Sequence, residues 1–236
     1  MAIKLVETGI PGVDDLCGGG IPQGSVVVVS GPPGVGKSNL VLQFLYNGAV
    51  KDQEPGVLFM VEESLKNVRE YANEFGWDIN KLENEKKMAI IGQAICVKGY
   101  STGTTETLKE VVKEIGAKRI GLDSLTLFQY LFRDKDSRRL NILNFVQQVK
   151  DSGCTTMIVS EQHGTISNMQ YADEHFIADG YIELFWNRYR EKNERCFRVV
   201  KMRGCKINPD VRPMEINREG VVVYPTQVPL SLAEQP

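Results

Sequence analysis

Short, mainly apolar runs alternate with longer stretches of helical period along most of this chain. Runs of this length predict buried strands, and they occupy residues 26–30, 56–61, 88–91, 118–124 and 154–160. Amphipathic helices are predicted between them, one beginning after residue 38 and others over residues 64–75, 104–115 and 138–150. Strands that alternate with helices in this way predict an α/β fold with a mostly parallel sheet wound on both faces.

The last part of the chain has a different pattern. Residues 181–188 and 195–203 are predicted as antiparallel strands joined through residues 189–194, and residues 213–224 as a second hairpin. The doubly wound sheet is therefore expected to continue into C-terminal antiparallel hairpins.

Two of the predicted helices have definite apolar faces. Ser64 is a suitable N-cap for a helix that turns one set of residues inward, namely Leu65, Val68, Tyr71 and Phe75. The helix over residues 138–150 is expected to bury Leu140, Leu143, Val146 and Val149.

Length and composition predict one domain. The chain has 236 residues, of which 42% are hydrophobic and 25% charged, enough for a full core. We expect a single domain over residues 1–236, with a lead-in loop and short helix at 1–24 and a C-terminal tail at 225–236. The density of Gly and Pro in residues 7–24 predicts turns rather than core.

Charge and cysteine content narrow the class of protein. A net charge of −2 and a pI near 5.8 argue against a protein that mainly coats nucleic acid. Five scattered cysteines without a CxxC pair suit a reducing interior better than a disulfide framework or a zinc site. The N-terminus has no signal-peptide core and no apolar run approaches the ~18 residues that span a bilayer. We therefore expect a cytoplasmic protein that makes no membrane contact.

The strongest chemical motif lies between the first long strand and its helix. The run Gly31-Pro32-Pro33-Gly34-Val35-Gly36-Lys37-Ser38, followed by Asn39, is a complete P-loop pattern. Its glycines let backbone N–H groups close on phosphates at a helix N-terminus. The expected ligand is ATP (or ADP) with Mg²⁺. In the triphosphate, Lys37 is expected between the β- and γ-phosphates and the Ser38 hydroxyl on the metal. A glycine-rich turn that binds nothing is the alternative.

Two further strand ends carry candidate carboxylates. Asp123 ends an apolar strand in the position of a Walker B aspartate, which holds the metal through its water shell. Glu62 and Glu63 end the strand after the P-loop helix, where one of them suits a base that orients the attacking water. Side chains alternate along a strand, and we prefer Glu62, although two such glutamates can also be solvated charge. The segment 160–162 is a candidate sensor of the γ-phosphate, or simply the start of a loop.

Several separated segments together resemble the KaiC-like branch of the RecA/RadA superfamily of ATPases, over nearly the whole chain. They are Thr8-Gly-Ile-Pro-Gly with Gly18-Gly-Gly-Ile-Pro, the P-loop, Glu62-Glu63-Ser64, Phe75-Gly76-Trp77-Asp78, Leu122-Asp123-Ser124 and Lys201-Met202-Arg203-Gly204. The resemblance implies a RecA-like core that assembles into a ring, usually of six subunits, with ATP bound between neighbours.

The resemblance also implies roles for residues. Glu62 and Glu63 match carboxylates that polarise the attacking water, and Lys201 and Arg203 match cations that reach the neighbour's γ-phosphate. An exposed basic strand end is the alternative for the two cations. Many relatives continue the last motif with Thr or Ser and then a His, whereas this chain has Cys205-Lys206-Ile207. The resemblance therefore implies no nucleotide contact for that continuation, and the sequence leaves this point open.

The predicted function is a Mg²⁺-dependent, ring-forming ATPase that couples hydrolysis to conformational change toward a protein partner of unknown identity. One alternative is a DNA recombination or repair accessory, and others are a nucleotide-state switch or an autokinase. Nucleic acid is a possible but not a favoured partner, because residues 163–174 contain no Lys or Arg.

Overall fold

The structure, a computed structural model, describes residues 3–60, 63–92, 106–125, 131–132, 134–161 and 173–233. Its strands are β1 (Leu5–Val6), β2 (Ile21–Pro22), β3 (Val26–Gly31), β4 (Gly56–Met60), β5 (Met88–Ile91), β6 (Arg119–Asp123), β7 (Thr155–Glu161), β8 (Gly180–Tyr189), β9 (Lys192–Met202), β10 (Arg212–Asn217) and β11 (Gly220–Val223). Its helices are α1 (Val13–Leu16), α2 (Lys37–Lys51), α3 (Leu65–Glu74), α4 (Ile79–Asn84), α5 (Glu106–Ile115), α6 (Lys135–Asp151), α7 (Asp173–Ile177) and α8 (Leu230–Ala233).

Nine of the strands form one sheet in the order β11-β10-β9-β8-β3-β7-β6-β4-β5. The strands from β8 to β5 in this order pair in parallel. From β8 to β11 the pairs are antiparallel. Strands β1 and β2 form a separate antiparallel pair. The predicted α/β fold, a mostly parallel sheet that ends in antiparallel hairpins, is confirmed.

Strand β3 lies inside the sheet and is buried on both faces, which explains its run of four valines. Val27 and Val29 pack in the core cluster that contains Val41 and Phe44 of α2. Val26 packs in a second cluster, which contains residues of α6. The two helices thus cover opposite faces of the sheet, as expected for a doubly wound fold.

Helix α6 begins earlier than predicted and buries the predicted face only in part, because Val146 and Val149 are buried as expected but the two leucines are not. The Asp134 carboxylate accepts the N–H of Ser137 at 2.8 Å and caps the helix. Leu140 is 58% exposed and Leu143 41% exposed, so the prediction that they point inward was wrong. The chain offers two apolar stripes, and the one that meets the sheet is Ile142, Phe145, Val146 and Val149.

Helix α3 follows its prediction in part. The Ser64 hydroxyl accepts the N–H of Asn67 at 3.2 Å, as an N-cap. Val68 is buried, but Tyr71 is 50% exposed rather than inward. The helix therefore packs through a narrower stripe than its apolar residues suggest.

The strands of the first C-terminal hairpin are longer than predicted. Strands β8 and β9 continue to Tyr189 and from Lys192, so that only Arg190 and Glu191 connect them, not residues 189–194. Arg190 has a φ of 52°, the left-handed conformation that such a tight connection requires. Polar residues extend this pair because backbone hydrogen bonds, not apolar side chains, hold its outer end. The second predicted hairpin is confirmed as β10 and β11.

The lead-in segment is part of the core, contrary to expectation. Ile10, Val13 and Ile21 are at most 1% exposed and pack in the same cluster as α2. The Asp14 carboxylate fixes the preceding turn by accepting the N–H of Thr8 at 2.8 Å. The glycines and prolines form the turns of this segment, and the few apolar residues between them are buried in the core.

Arg119 ties the start of β6 to the end of α2. It is fully buried, and its guanidinium donates to the Asp52 carboxylate at 2.7 Å, to the Glu54 carboxylate at 2.8 Å and to the Phe44 carbonyl at 2.9 Å. Gly48 faces this guanidinium, where a Cβ would lie 2.6 Å from Arg119 Cζ.

In the described part of the chain, no helix has the length and apolar character needed to cross a bilayer.

Candidate functional site

A cavity of about 450 Å³ opens where the parallel strands β3, β4 and β6 end. Ligands of open α/β sheets bind at this carboxyl end of the strands. The residues that line the cavity come from the P-loop and from both sides of it: Gly34, Gly36, Lys37, Ser38, Asn39, Leu42, Leu58, Met60, Glu63, Val68, Tyr71, Asp123, Arg195 and Ile216.

The P-loop joins β3 to α2 as the sequence predicts. Gly36 is the N-cap of α2 and has a φ of 114°, a conformation open to glycine and strained for other residues. A Cβ on Gly36 would lie 2.6 Å from Ile216 Cδ1 on β10. Its conformation therefore favours glycine, and a Cβ would in addition force the end of the Ile216 side chain to shift.

Not every residue of the predicted binding segment 31–39 can contribute in the same way. Pro32 and Pro33 have no N–H to donate. Val35 is fully buried in the core, so its side chain anchors the loop and only its backbone is available to a ligand. Pro32 and Pro33 therefore shape the loop but donate no hydrogen bond to phosphate.

Lys37 begins α2 and is 8% exposed. Its Nζ donates to the Gly31 carbonyl at 2.8 Å and to the Pro32 carbonyl at 2.9 Å. The ammonium group is therefore held within the loop that would enclose the phosphates.

Ser38 and Asp123 line the same cavity, as a metal site requires. Asp123 ends β6 beside Met60 of β4, is 8% exposed, and is joined to Ser124 by a cis peptide bond. One hydroxyl and one carboxylate are hard oxygen ligands that fit Mg²⁺, which prefers to keep waters and substrate phosphates as its other ligands. No cluster of three or more His, Cys, Asp or Glu side chains competes as a metal site within the described ranges.

Of the two candidate bases, one is described. Glu63 is exposed at the rim of the cavity, and its Oε1 accepts the Asn67 Nδ2–H at 2.6 Å. Glu62 lies outside the described residues. The preference for Glu62 thus stays a prediction.

Ser160, in the candidate γ-phosphate sensor at the end of β7, is hydrogen-bonded to a side chain of its own chain. The Ser160 hydroxyl donates to the buried Glu174 carboxylate at 2.7 Å. Ser160 pairs in register with Ser30, directly before the P-loop, but is not among the lining residues of the described cavity. Gln162, the last residue of that candidate segment, lies outside the described residues.

Sequence reasoning missed the wall formed by the C-terminal hairpins. Arg195 of β9 lines the cavity, with its Cζ 4.4 Å from the centroid of the Trp186 ring. Its Nε is buried and has no hydrogen-bond partner in the described part of the chain. Ile216 of β10 completes this wall. No local pattern marks either residue, because strand pairing across the sheet brings them to the P-loop.

Lys201 and Arg203 lie at the other end of the sheet. Met202, between them, pairs with Gly180, which is level with Val27 near the start of β3. The P-loop begins at the opposite end of β3, about 13 Å away along the strand. Neither cation lines the cavity in the described structure.

A comparison with known families agrees with this geometry. The family model described as "ATPase: KaiC" matches residues 6–228. The chain belongs to the KaiC family of ATPases. It is therefore an ATP-binding, RecA-like P-loop protein.

Relatives of this KaiC-family chain include proteins of the same and of greater length. A UPF0273 protein of Methanocaldococcus jannaschii is 37% identical, covering 96% of this chain and 98% of the relative. The circadian clock oscillator protein KaiC of Prochlorococcus marinus is 32% identical, covering 95% of this chain but 46% of that longer protein.

A solved structure agrees over nearly the whole chain. The KaiC-like protein of Pyrococcus horikoshii superimposes with a TM-score of 0.84 at 33% identity, covering 94% of this chain and 100% of that one. The resemblance inferred from sequence motifs is confirmed.

Proposed function

We propose that this KaiC-family chain hydrolyses ATP and that neighbouring subunits of a ring complete each active site together. The observation that carries the proposal is a separation within one chain. The P-loop cavity lies at the carboxyl end of β3, whereas Lys201 and Arg203 lie near its amino end. A head-to-tail arrangement would bring the cations of one subunit to the nucleotide of the next.

Within one subunit, the loop residues 31–39 bind the phosphates and Lys37 supplies a positive charge beside them. Mg²⁺, held by Ser38 and by water on Asp123, would neutralise charge on the phosphate oxygens. Glu62, or else Glu63, orients the attacking water. Arg195 and Ile216 form the wall on the hairpin side of the cavity and suit the base and ribose.

The ring would contain six subunits. ATP hydrolysis at each interface would drive a conformational change that acts on a protein partner. Head-to-tail interfaces form a closed ring when the rotation from each subunit to the next adds up to a full circle. Transition-state charge on a phosphoryl group is met by cations delivered from a neighbour in other systems, with gains of roughly 10³–10⁵ in rate.

The deciding experiment follows ATP labelled at its γ-phosphate in the presence of Mg²⁺. Release of labelled phosphate supports the ATPase, label on the protein band supports the autokinase, and tight binding with neither supports a switch. Lys37→Ala is the negative variant, and Lys66→Ala, an exposed cation paired with Glu70 on α3, is its matched control. Light scattering on the same samples measures the number of subunits, and a monomer that turns over ATP at full rate would contradict the shared site.

A further inference from the structure

Near the start of β3, the side chains of Lys150, Lys201 and Arg203 surround the carboxylate of Asp179, and these four residues form a charged cluster. Asp179, just before β8, accepts the Lys150 Nζ–H at 2.8 Å and the Arg203 Nη1–H at 3.4 Å on Oδ1. Its Oδ2 accepts the N–H of Val26 at 3.1 Å. The backbone N–H of Arg203 also donates to the Asp179 carbonyl at 2.9 Å. Arg203 is thus bound to Asp179 through both its backbone and its side chain.

Lys201 joins this cluster from the same strand end. Its Nζ donates to the carbonyls of His175 at 3.0 Å and Phe176 at 3.3 Å, and Arg203 Nη2 donates to the same Phe176 carbonyl at 3.2 Å. Burial lowers the pKa of Lys201, the charge of Arg203 lowers it further, and Asp179 opposes both. Asp179 is therefore a counterion for both cations.

The carboxylate keeps its charge in this setting. Burial would raise the pKa of Asp179, but hydrogen bonds from Lys150 and Val26, with the charges of Lys150 and Arg203, hold the pKa below its ordinary value. Three cations (Lys150, Lys201 and Arg203) and one carboxylate leave these four side chains with a net charge of +2. The cluster is thus ordered by an anion of its own and still attracts another.

We propose that Asp179 is the positioning residue of the cation pair Lys201 and Arg203. The inference rests on the proposed function, in which this pair acts on the neighbour's nucleotide. Without Asp179, the two cations would keep only their hydrogen bonds to the His175 and Phe176 carbonyls, and no carboxylate would offset their mutual repulsion. With it, they are held ready before the neighbour's phosphate arrives, and such preorganisation is a main source of catalytic power.

The same carboxylate also ties the cation pair to the subunit's own P-loop strand. Val26, whose N–H it accepts, is the first residue of β3, and the last residue of that strand is Gly31. The position of the pair is thereby fixed relative to the rigid centre of the sheet, not to a surface loop.

The test compares Asp179→Asn with wild type in the full chain. The amide oxygen can still accept the Val26 N–H, but the charge that holds Arg203 is lost. We expect kcat to fall roughly tenfold to a hundredfold while ATP affinity, measured by titration, stays unchanged. Asp52→Asn is the matched control, because Asp52 is also a partly buried aspartate paired with an arginine and lies away from both sites.

Two further measurements separate positioning from a general loss of structure. In a background that lacks both cations, Lys201→Ala with Arg203→Ala, Asp179→Asn should lower the residual rate of phosphate release from labelled ATP by less than a further twofold, whereas an independent structural effect would multiply the losses. Mixing Asp179→Asn subunits with Lys37→Ala subunits should restore activity, because the first supplies an intact P-loop and the second an intact cation pair. No recovery after verified subunit exchange would overturn the proposal.

The outcomes distinguish this inference from the proposed function. If Arg203→Ala keeps the wild-type kcat, the shared site itself is wrong. If Arg203→Ala lowers kcat and Asp179→Asn keeps the wild-type kcat, the role of Asp179 alone is wrong. Should Asp179→Asn fail to fold, Asp179→Glu carries the test, since it keeps the charge but moves the carboxylate, and a wild-type kcat there would contradict positioning.

Discussion

Lys201 and Arg203 donate hydrogen bonds to the same backbone oxygen, the carbonyl of Phe176. Two cations on either side of Met202 therefore converge, as expected for side chains that alternate along an extended strand. They do so near the start of β3, away from the P-loop of their own chain. Asp179, which accepts hydrogen bonds from Arg203 and from the Val26 N–H, and strand β3 thus link the cation pair to the P-loop of the same chain.

The first prediction is that two inactive variants restore each other. Lys37→Ala lacks the P-loop cation but keeps Arg203, and Arg203→Ala has the reverse defect. When the two are mixed in equal amounts and exchange subunits, about a quarter of the interfaces in a closed ring pair an intact P-loop with an intact Arg203. Phosphate release should recover accordingly. Persistent inactivity in exchanged rings would place Arg203 within its own active site or outside catalysis.

The second prediction concerns nucleotide affinity. Lys37→Ala should abolish Mg-ATP binding or leave it very weak, because the positive charge held at the Gly31 and Pro32 carbonyls is lost. Calorimetric titration measures the affinity, with Lys66→Ala as the control. An unchanged dissociation constant would contradict the P-loop assignment.

The third prediction separates the two glutamates. Glu62→Gln should keep ATP affinity and slow hydrolysis by about two orders of magnitude or more, the scale of losing a general base. Glu63→Gln is the matched control, because Glu63 lies exposed at the rim and contacts Asn67. Should only Glu63→Gln be slow, the choice within the pair is reversed; if both hydrolyse normally, the base lies elsewhere.

The fourth prediction is an alkaline limit on activity. Burial and the charge of Arg203 lower the pKa of Lys201 below the ordinary value of a lysine. A lysine with a lowered pKa loses its proton at lower pH than usual, so kcat/KM, which reports groups of the nucleotide-free protein, should decline as the pH rises toward, but before reaching, the ordinary lysine range. Lys201→Arg keeps its charge throughout and should remove this decline. Identical pH–rate profiles for the two proteins would show that Lys201 does not titrate in the active site.

The fifth prediction concerns the Gly48–Arg119 contact. Alanine normally stabilises a helix interior over glycine by roughly 1 kcal/mol. Here the added Cβ would lie 2.5 Å from Arg119 Cδ and 2.6 Å from its Cζ, and overpacking of this kind costs roughly 1–3 kcal/mol. Gly48→Ala should therefore lower the free energy of unfolding, measured in urea.

A double-mutant cycle checks the cause. In an Arg119→Ala background the overlap is gone, and Gly48→Ala should become neutral or stabilising. An equal loss of stability in both backgrounds would point to a cause other than this contact.

Local sequence patterns determine where the main strands, the P-loop and its helix lie in this chain. The valine run of β3, the P-loop and the strand ending at Asp123 are recognisable in the sequence because a buried strand, a glycine turn and a helix start each depend on neighbouring residues. The parallel sheet follows from the alternation of strands and helices, and its carboxyl edge places Lys37, Ser38 and Asp123 together.

Only the tertiary structure decided contacts between segments far apart in the chain. Helix α6 carries two apolar stripes, and packing against the sheet, rather than hydrophobicity, selected Ile142 and Phe145 over Leu140 and Leu143. Arg195 lies at the P-loop cavity, and Asp179 lies beside Arg203, through pairing of strands that sequence patterns cannot align. The sequence by itself determined the elements and the phosphate-binding chemistry, because both depend on residues that are near in the chain. The walls of the cavity and the setting of the cation pair were left to tertiary structure, because strand order and side-chain packing depend on the whole chain at once.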